Sequence, residues 1–128
     1  MKIEHVAFNV PDPLGMGRWY VEHLGLSVKR RMVDAPYAHF LADDGDTVMI
    51  EIYKNTDAPI PDYPKHDSRA LHLAFRSSDV EADVKRLTAA GAKLEGEIVT
   101  APNGDRFAML RDPWGFAIQL VKRGTPMI

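Results

Sequence analysis

A chain of 128 residues with 45% hydrophobic content can bury one compact core, and its formal charge of −2 comes from acidic and basic residues scattered along its length. No basic run is present to track a phosphate backbone, so nucleic acid is not an expected partner. The absence of cysteine removes disulfides, thiolate nucleophiles and sulfur-rich metal sites, which leaves nitrogen and oxygen donors for any metal.

The first strand is expected over residues 2–10, ending at Pro11-Asp12-Pro13, where Asp12 can cap a helix and Pro13 suits its first position. Met16, Trp19, Tyr20, His23 and Leu24 then fall on one side of a helix that Gly25 terminates. Strands follow over residues 26–33, 37–42 and 47–53, separated by Ala35-Pro36 and Asp43-Asp44-Gly45-Asp46. Pro59, Pro61 and Pro64 deny the next stretch a regular ladder, and it reads as a linker. A strand over residues 70–76 comes after it, and then a helix opened by a capping box, Ser78-Asp79-Val80-Glu81, and closed by Gly91. Three last strands span residues 93–100, 106–111 and 116–122, joined by Asn103-Gly104 and by Asp112-Pro113-Trp114-Gly115. No stretch approaches the roughly 18 apolar residues of a membrane span, and no secretory leader is recognisable, so a cytoplasmic protein with no membrane partner is expected.

The order strand, helix, strand, strand, strand therefore occurs twice. The expected organisation is a single domain over residues 1–128, with one module over 1–54, a linker over 55–68 and a second module over 69–123. His5 in Ile3-Glu4-His5-Val6-Ala7-Phe8 matches His72 in Ala70-Leu71-His72-Leu73-Ala74-Phe75, 67 positions on, and Glu51 matches Gln119, 68 positions on. Strand side chains alternate, so each histidine points away from the apolar residues beside it. Glu51 stands between Ile50 and Ile52, and Gln119 between Ile118 and Leu120, so these two share the histidines' face. Two curved sheets related by a pseudo-twofold axis would bring all four groups to one centre.

Two imidazoles, a carboxylate and an amide oxygen suit a divalent cation such as Zn, Ni, Co, Mn or Fe(II), and no organic cofactor is implied. With one carboxylate on a dication, a net positive charge remains to polarise a bound oxygen. His39, in a middle strand with no polar counterpart in the second module, is a candidate for lining the cavity.

These residues, with the ending Arg111-Asp112-Pro113-Trp114-Gly115-Phe116-Ala117-Ile118-Gln119-Leu120, make the chain resemble the vicinal oxygen chelate superfamily. That superfamily includes glyoxalase I, methylmalonyl-CoA epimerase, extradiol dioxygenases and bleomycin-resistance proteins. The resemblance implies an α+β fold of two βαβββ modules forming a cupped mixed sheet around a metal, in a homodimer. It places metal ligands at His5, Glu51, His72 and Gln119, and a glutathione contact at Asn55. The final ligand is usually a glutamate that moves the proton, and here it is Gln119. An amide takes no proton at neutral pH, so Glu51 becomes the candidate catalytic base. The glutathione-binding arginine of the resemblance is replaced by Asn9, and Arg76, inward by strand parity, is a candidate to hold a substrate carboxylate or phosphate. The function expected is a metal-dependent lyase or isomerase of glyoxalase I or epimerase type, which chelates a small molecule through adjacent oxygens and moves a proton through an enediolate-like intermediate. A non-haem Fe(II) dioxygenase and a non-catalytic drug-binding protein are the alternatives.

Overall fold

A computed structural model describes residues 1–127 of the chain. It divides into two compact units, Met1–Pro61 and the chain from Asp62 onward, so the division falls inside the stretch read as a linker. Each unit has the order strand, helix and three strands, and the fold is α+β.

The first unit holds β1 (His5–Asn9), α1 (Pro13–Leu24), β2 (Ser27–Arg31), β3 (His39–Ala42) and β4 (Met49–Tyr53). Its sheet has the order β1-β4-β3-β2, with β1 parallel to β4 and the other pairs antiparallel. The Asp12 carboxylate accepts from the Gly15 N–H to open α1, and Gly25 closes it at φ 73°. The apolar stripe of α1 puts Met16, Trp19 and Tyr20 in the core with Leu41 and Ile52, each fully buried side chain contributing about 1.5–3 kcal/mol. Gly17 lets the helix settle on the sheet, since a Cβ there would lie 3.4 Å from the His39 ring and 3.6 Å from Ile52.

The second unit repeats the plan with β5 (Leu73–Arg76), α2 (Val80–Ala89), β6 (Lys93–Thr100), β7 (Arg106–Arg111) and β8 (Ala117–Lys122), in the order β5-β8-β7-β6. The cap of α2 is Asp79, whose side chain accepts from the Ala82 N–H, one residue later than the expected Ser78. Val80, Val84 and Leu87 of α2 are buried, as are Leu110, Ile118 and Leu120 of the sheet behind.

Both opening strands are shorter than expected. Their ladders begin at His5↔Met49 and Leu73↔Ile118, so His72 stands just ahead of β5. The stretch read as linker contains a 3-10 turn, Tyr63–Lys65, and Tyr63 is buried against the Phe116 ring, with centroids 4.8 Å apart. Among the described residues no helix is long and apolar enough to cross a membrane.

Candidate functional site

The register of the two parallel strand pairs bears out the internal repeat. Ala7 pairs with Glu51 and Ala74 with Gln119, so in each unit an alanine two residues after the histidine sits beside the polar residue of the last strand. A methyl group there leaves the space above it to the imidazole and its neighbour.

In the first unit, His5 Nε2 lies 3.5 Å from Glu51 Oε2, with the side chains 37% and 20% exposed. Two donors bound at about 2.1 Å to one cation, roughly 90–110° apart, are themselves about 3.0–3.4 Å from each other. The pair is therefore spaced as two ligands would be. Phe40, opposite Glu51 across the β3–β4 ladder, packs edge-on against the His5 ring, with centroids 5.6 Å apart. The other ring nitrogen, Nδ1, is hydrogen-bonded to the Glu4 carboxylate. That bond raises the His5 pKa; partial desolvation opposes the rise, and the negative charges of Glu4 and Glu51 reinforce it.

In the second unit, His72 and Gln119 line one concavity of about 710 Å³ with Ser68, Glu95, Phe107 and Met109. His72 Nδ1 lies 2.7 Å from the Ser68 carbonyl oxygen. A carbonyl only accepts, so Nδ1 carries the hydrogen, and in the neutral ring Nε2 is the nitrogen that keeps its lone pair. His5 and His72 thus share one arrangement, Nδ1–H to an oxygen and Nε2 as the available donor, which is how metal-binding imidazoles are usually held. In each unit the pair is of a chemistry that a divalent cation accepts, nitrogen beside oxygen. Among the described residues no group of three or more His, Asp or Glu side chains is gathered as a metal site. In the first unit Glu4 is engaged with the far nitrogen of His5, and in the second the Glu95 carboxylate of the same concavity is engaged with Arg111 and Ser68.

Other expected site residues are placed differently. His39 is not on the cavity face. It pairs with Ile52 in the ladder, is buried under Gly17 of α1, and its Nδ1 donates to the Tyr37 carbonyl at 2.7 Å. Phe40, paired with Glu51, is the β3 residue on the face of His5 and Glu51. Asn9 and Asn55 are occupied with the backbone: Asn9 donates to the carbonyls of Asn55 and Ala58 and accepts from the Asn55 N–H, while the Asn55 side chain accepts from the Asp57 N–H. These bonds pin the loop after β4. Arg76 shares the Gln119 face through its pairing with Val121, but it is exposed and outside the lining of the concavity.

Sequence reasoning missed Glu95, Ser68 and Arg111. Glu95 pairs with Met109 and Val99 with Phe107, so β6 carries extra residues between them, and Gly96, at φ 75°, takes the bend. A glycine inside a strand was the available signal. The Glu95 carboxylate is bonded to Arg111 and to the Ser68 hydroxyl, and the arginine bond, then the hydroxyl, hold its pKa below the usual range against the pull of desolvation.

Duplicated βαβββ units, each presenting an imidazole and a carbonyl-bearing side chain on the face away from its helix, define a class of small α+β proteins. The family model of the Glyoxalase/Bleomycin resistance protein/Dioxygenase superfamily matches residues 2–120, and the chain belongs to that superfamily. The uncharacterized protein YwbC of Bacillus subtilis (strain 168) is 27% identical over 127 residues, 95% of this chain and 98% of that protein. Among solved structures, TnmS3, an antibiotic binding protein from Streptomyces sp. CB03234, is similar with a TM-score of 0.73 at 23% identity, covering 97% of each chain. A glyoxalase I variant from Zea mays is similar with a TM-score of 0.74 at 22% identity over 97% of this chain, which spans 46% of that one.

Proposed function

We propose that the chain is a divalent-metal-dependent lyase or isomerase of glyoxalase I or epimerase type, with His5, Glu51, His72 and Gln119 as metal ligands and Glu51 as the base. The observation that carries this reading is the matched presentation of Nε2 by His5 and His72 beside Glu51 and Gln119 at repeat-equivalent positions. When bound, the metal supplies a positive charge that acidifies a C–H next to a coordinated oxygen. Glu51 supplies the proton acceptor: its carboxylate lies on an accessible face beside His5, while Gln119 can orient an oxygen but cannot take a proton. Phe40 shields one side of His5 from water. A small-molecule substrate, a cytoplasmic location and a homodimer complete the proposal.

The test measures metal content together with exchange of substrate C–H protons into deuterated solvent, using small 2-oxoaldehyde adducts and 2-substituted acyl thioesters as probes. Glu51→Gln should abolish exchange. Exchange at the wild-type rate in a metal-loaded Glu51→Gln protein refutes Glu51 as the base. Mixing His5→Ala protein with His72→Ala protein and assaying recovered metal binding tells whether the ligands come from one copy of the chain or two.

A second reading is favoured by the concavity of the second unit, where Phe107, Met109 and Val99 offer an apolar lining. It is sequestration of a compound without chemistry, as the description of TnmS3 as antibiotic binding suggests. Binding that is unchanged by removal of metal supports this reading over the enzyme.

A further inference from the structure

Arg111 is the basic residue at the head of the Asp112-Pro113-Trp114-Gly115 turn, and nothing in the proposed chemistry uses it. It lies at the end of β7, 16% exposed, and each nitrogen of its guanidinium is engaged. Nε binds the Glu95 carboxylate, Nη1 donates to the carbonyls of Tyr63 at 3.0 Å and Gly115 at 3.3 Å, and Nη2 donates to the His66 carbonyl at 2.7 Å. The other Glu95 oxygen accepts from the Ser68 hydroxyl at 2.6 Å, and the Ser68 carbonyl accepts the Nδ1–H of His72. One cation therefore grips the segment from Tyr63 to His66 directly and Ser68 through Glu95. Ser68, only 6% exposed, fixes the imidazole.

We infer that Arg111, Glu95 and Ser68 form a positioning network whose work is to hold the His72 imidazole in its Nδ1–H form, with Nε2 directed to the concavity. The physical reason is directional. A free histidine prefers the other neutral tautomer only slightly, so a well-placed carbonyl decides between them, and a carbonyl on an irregular segment is well placed only when that segment is anchored. Charge-assisted bonds from a planar guanidinium supply the anchoring, because a fork with fixed donor directions cannot satisfy three carbonyls and a carboxylate in more than one arrangement. The asymmetry with the first unit follows: His5 takes its fixing bond from a neighbouring carboxylate, Glu4, and has no need of such a clamp.

The consequence for metal affinity rests on His72 being a ligand, as proposed above, while the tautomer itself does not. The experiment records the long-range ¹H–¹⁵N spectrum of the imidazoles in the metal-free full chain at about pH 8, where an ordinary histidine is neutral, and then titrates the same samples with Zn(II). The variants are Ser68→Ala, which deletes only the hydroxyl, and Glu95→Ala, which frees Arg111 as well. Glu81→Gln, remote on α2, is the control. Wild type and control should show His72 as a single Nδ1–H form. Ser68→Ala and Glu95→Ala should show the two tautomers in exchange and bind Zn(II) about tenfold or more weakly. A single Nδ1–H form retained in both variants overturns the network, whatever the zinc result. Mixed tautomers in a protein whose wild type takes up no zinc uphold the network and refute the metal reading instead.

Discussion

Replacing Gly115 by alanine adds one methyl group at a place where the chain has no room for it. The residue sits at φ 82°, a region that costs an L side chain about 1–2 kcal/mol. The new Cβ would stand 2.4 Å from Pro64 Cγ, 2.9 Å from its Cδ and 3.0 Å from its Cα, whereas carbon atoms normally approach to about 3.5–4.0 Å. Pro64 cannot turn aside by a rotamer change, and its neighbour Tyr63 is held by its ring on Phe116 and by Arg111 on its carbonyl. The overlap must be relieved by backbone movement, an overpacking cost of about 1–3 kcal/mol. The sum is about 2–5 kcal/mol, or a fall in Tm of roughly 8–20 °C at about 4 °C per kcal/mol for a chain of this size. Urea and thermal unfolding followed by circular dichroism measure it. Pro64→Ala in the same background should recover at least about 1 kcal/mol as a coupling energy. A loss below about 1 kcal/mol with no coupling would refute the packing of this turn under Pro64. Because the displaced segment leads to Ser68, Zn(II) affinity should fall together with stability.

Four further outcomes are expected. Ala7→Leu fills the space between His5 and Glu51 on an exposed strand face, so unfolding should shift by less than about 1 kcal/mol while zinc uptake drops at least tenfold; intact zinc binding counts against the pairing. The Asp105 pKa is depressed, first by the Gly124 N–H and next by Arg123, against some desolvation, so its carboxylate stabilises the fold above its unfolded pKa, and that contribution disappears as pH falls through the lower folded value. Asp105→Asn should therefore be destabilised at neutral pH and converge with wild type in strong acid, as read by urea midpoints across pH; a gap that persists in acid contradicts the assignment. Glu81→Gln removes an ion pair with Arg106 whose side chains are 49% and 37% exposed, and the cost should stay within about 1 kcal/mol and shrink in high salt. Asn9→Ala leaves the Asn55 N–H without its side-chain acceptor, so amide hydrogen exchange at Asn55 should quicken while the β1–β4 ladder stays protected.

Much of this architecture is legible in the residues because it is set locally. Asp12, Pro13 and Gly25 mark the ends of α1, and alternation within β1, β4 and β8 gives the parity of His5, Glu51 and Gln119 without knowledge of any partner strand. What escaped depends on residues distant in sequence. Asn9 looks like a polar residue waiting for a ligand until the loop some 46 positions on supplies its partners. His39 reads as a cavity residue because its own strand does not show that Gly17 makes room for an imidazole on the other side. The capping box on Ser78 lost to Asp79, whose carboxylate reaches the Ala82 N–H. The clamp of Arg111 on segment 63–68 crosses 45 to 48 positions, and no periodicity reports such a bond.

The bend at Gly96 has an implication for diversification. Its surplus residues lie on the outermost strand, which is separated by β7 from the strand that carries Gln119, β8. Lengthening or trimming that detour would reshape one wall of the recess and leave His72 and Gln119 where they are, so the shape of the recess can vary without rebuilding the strand that carries Gln119.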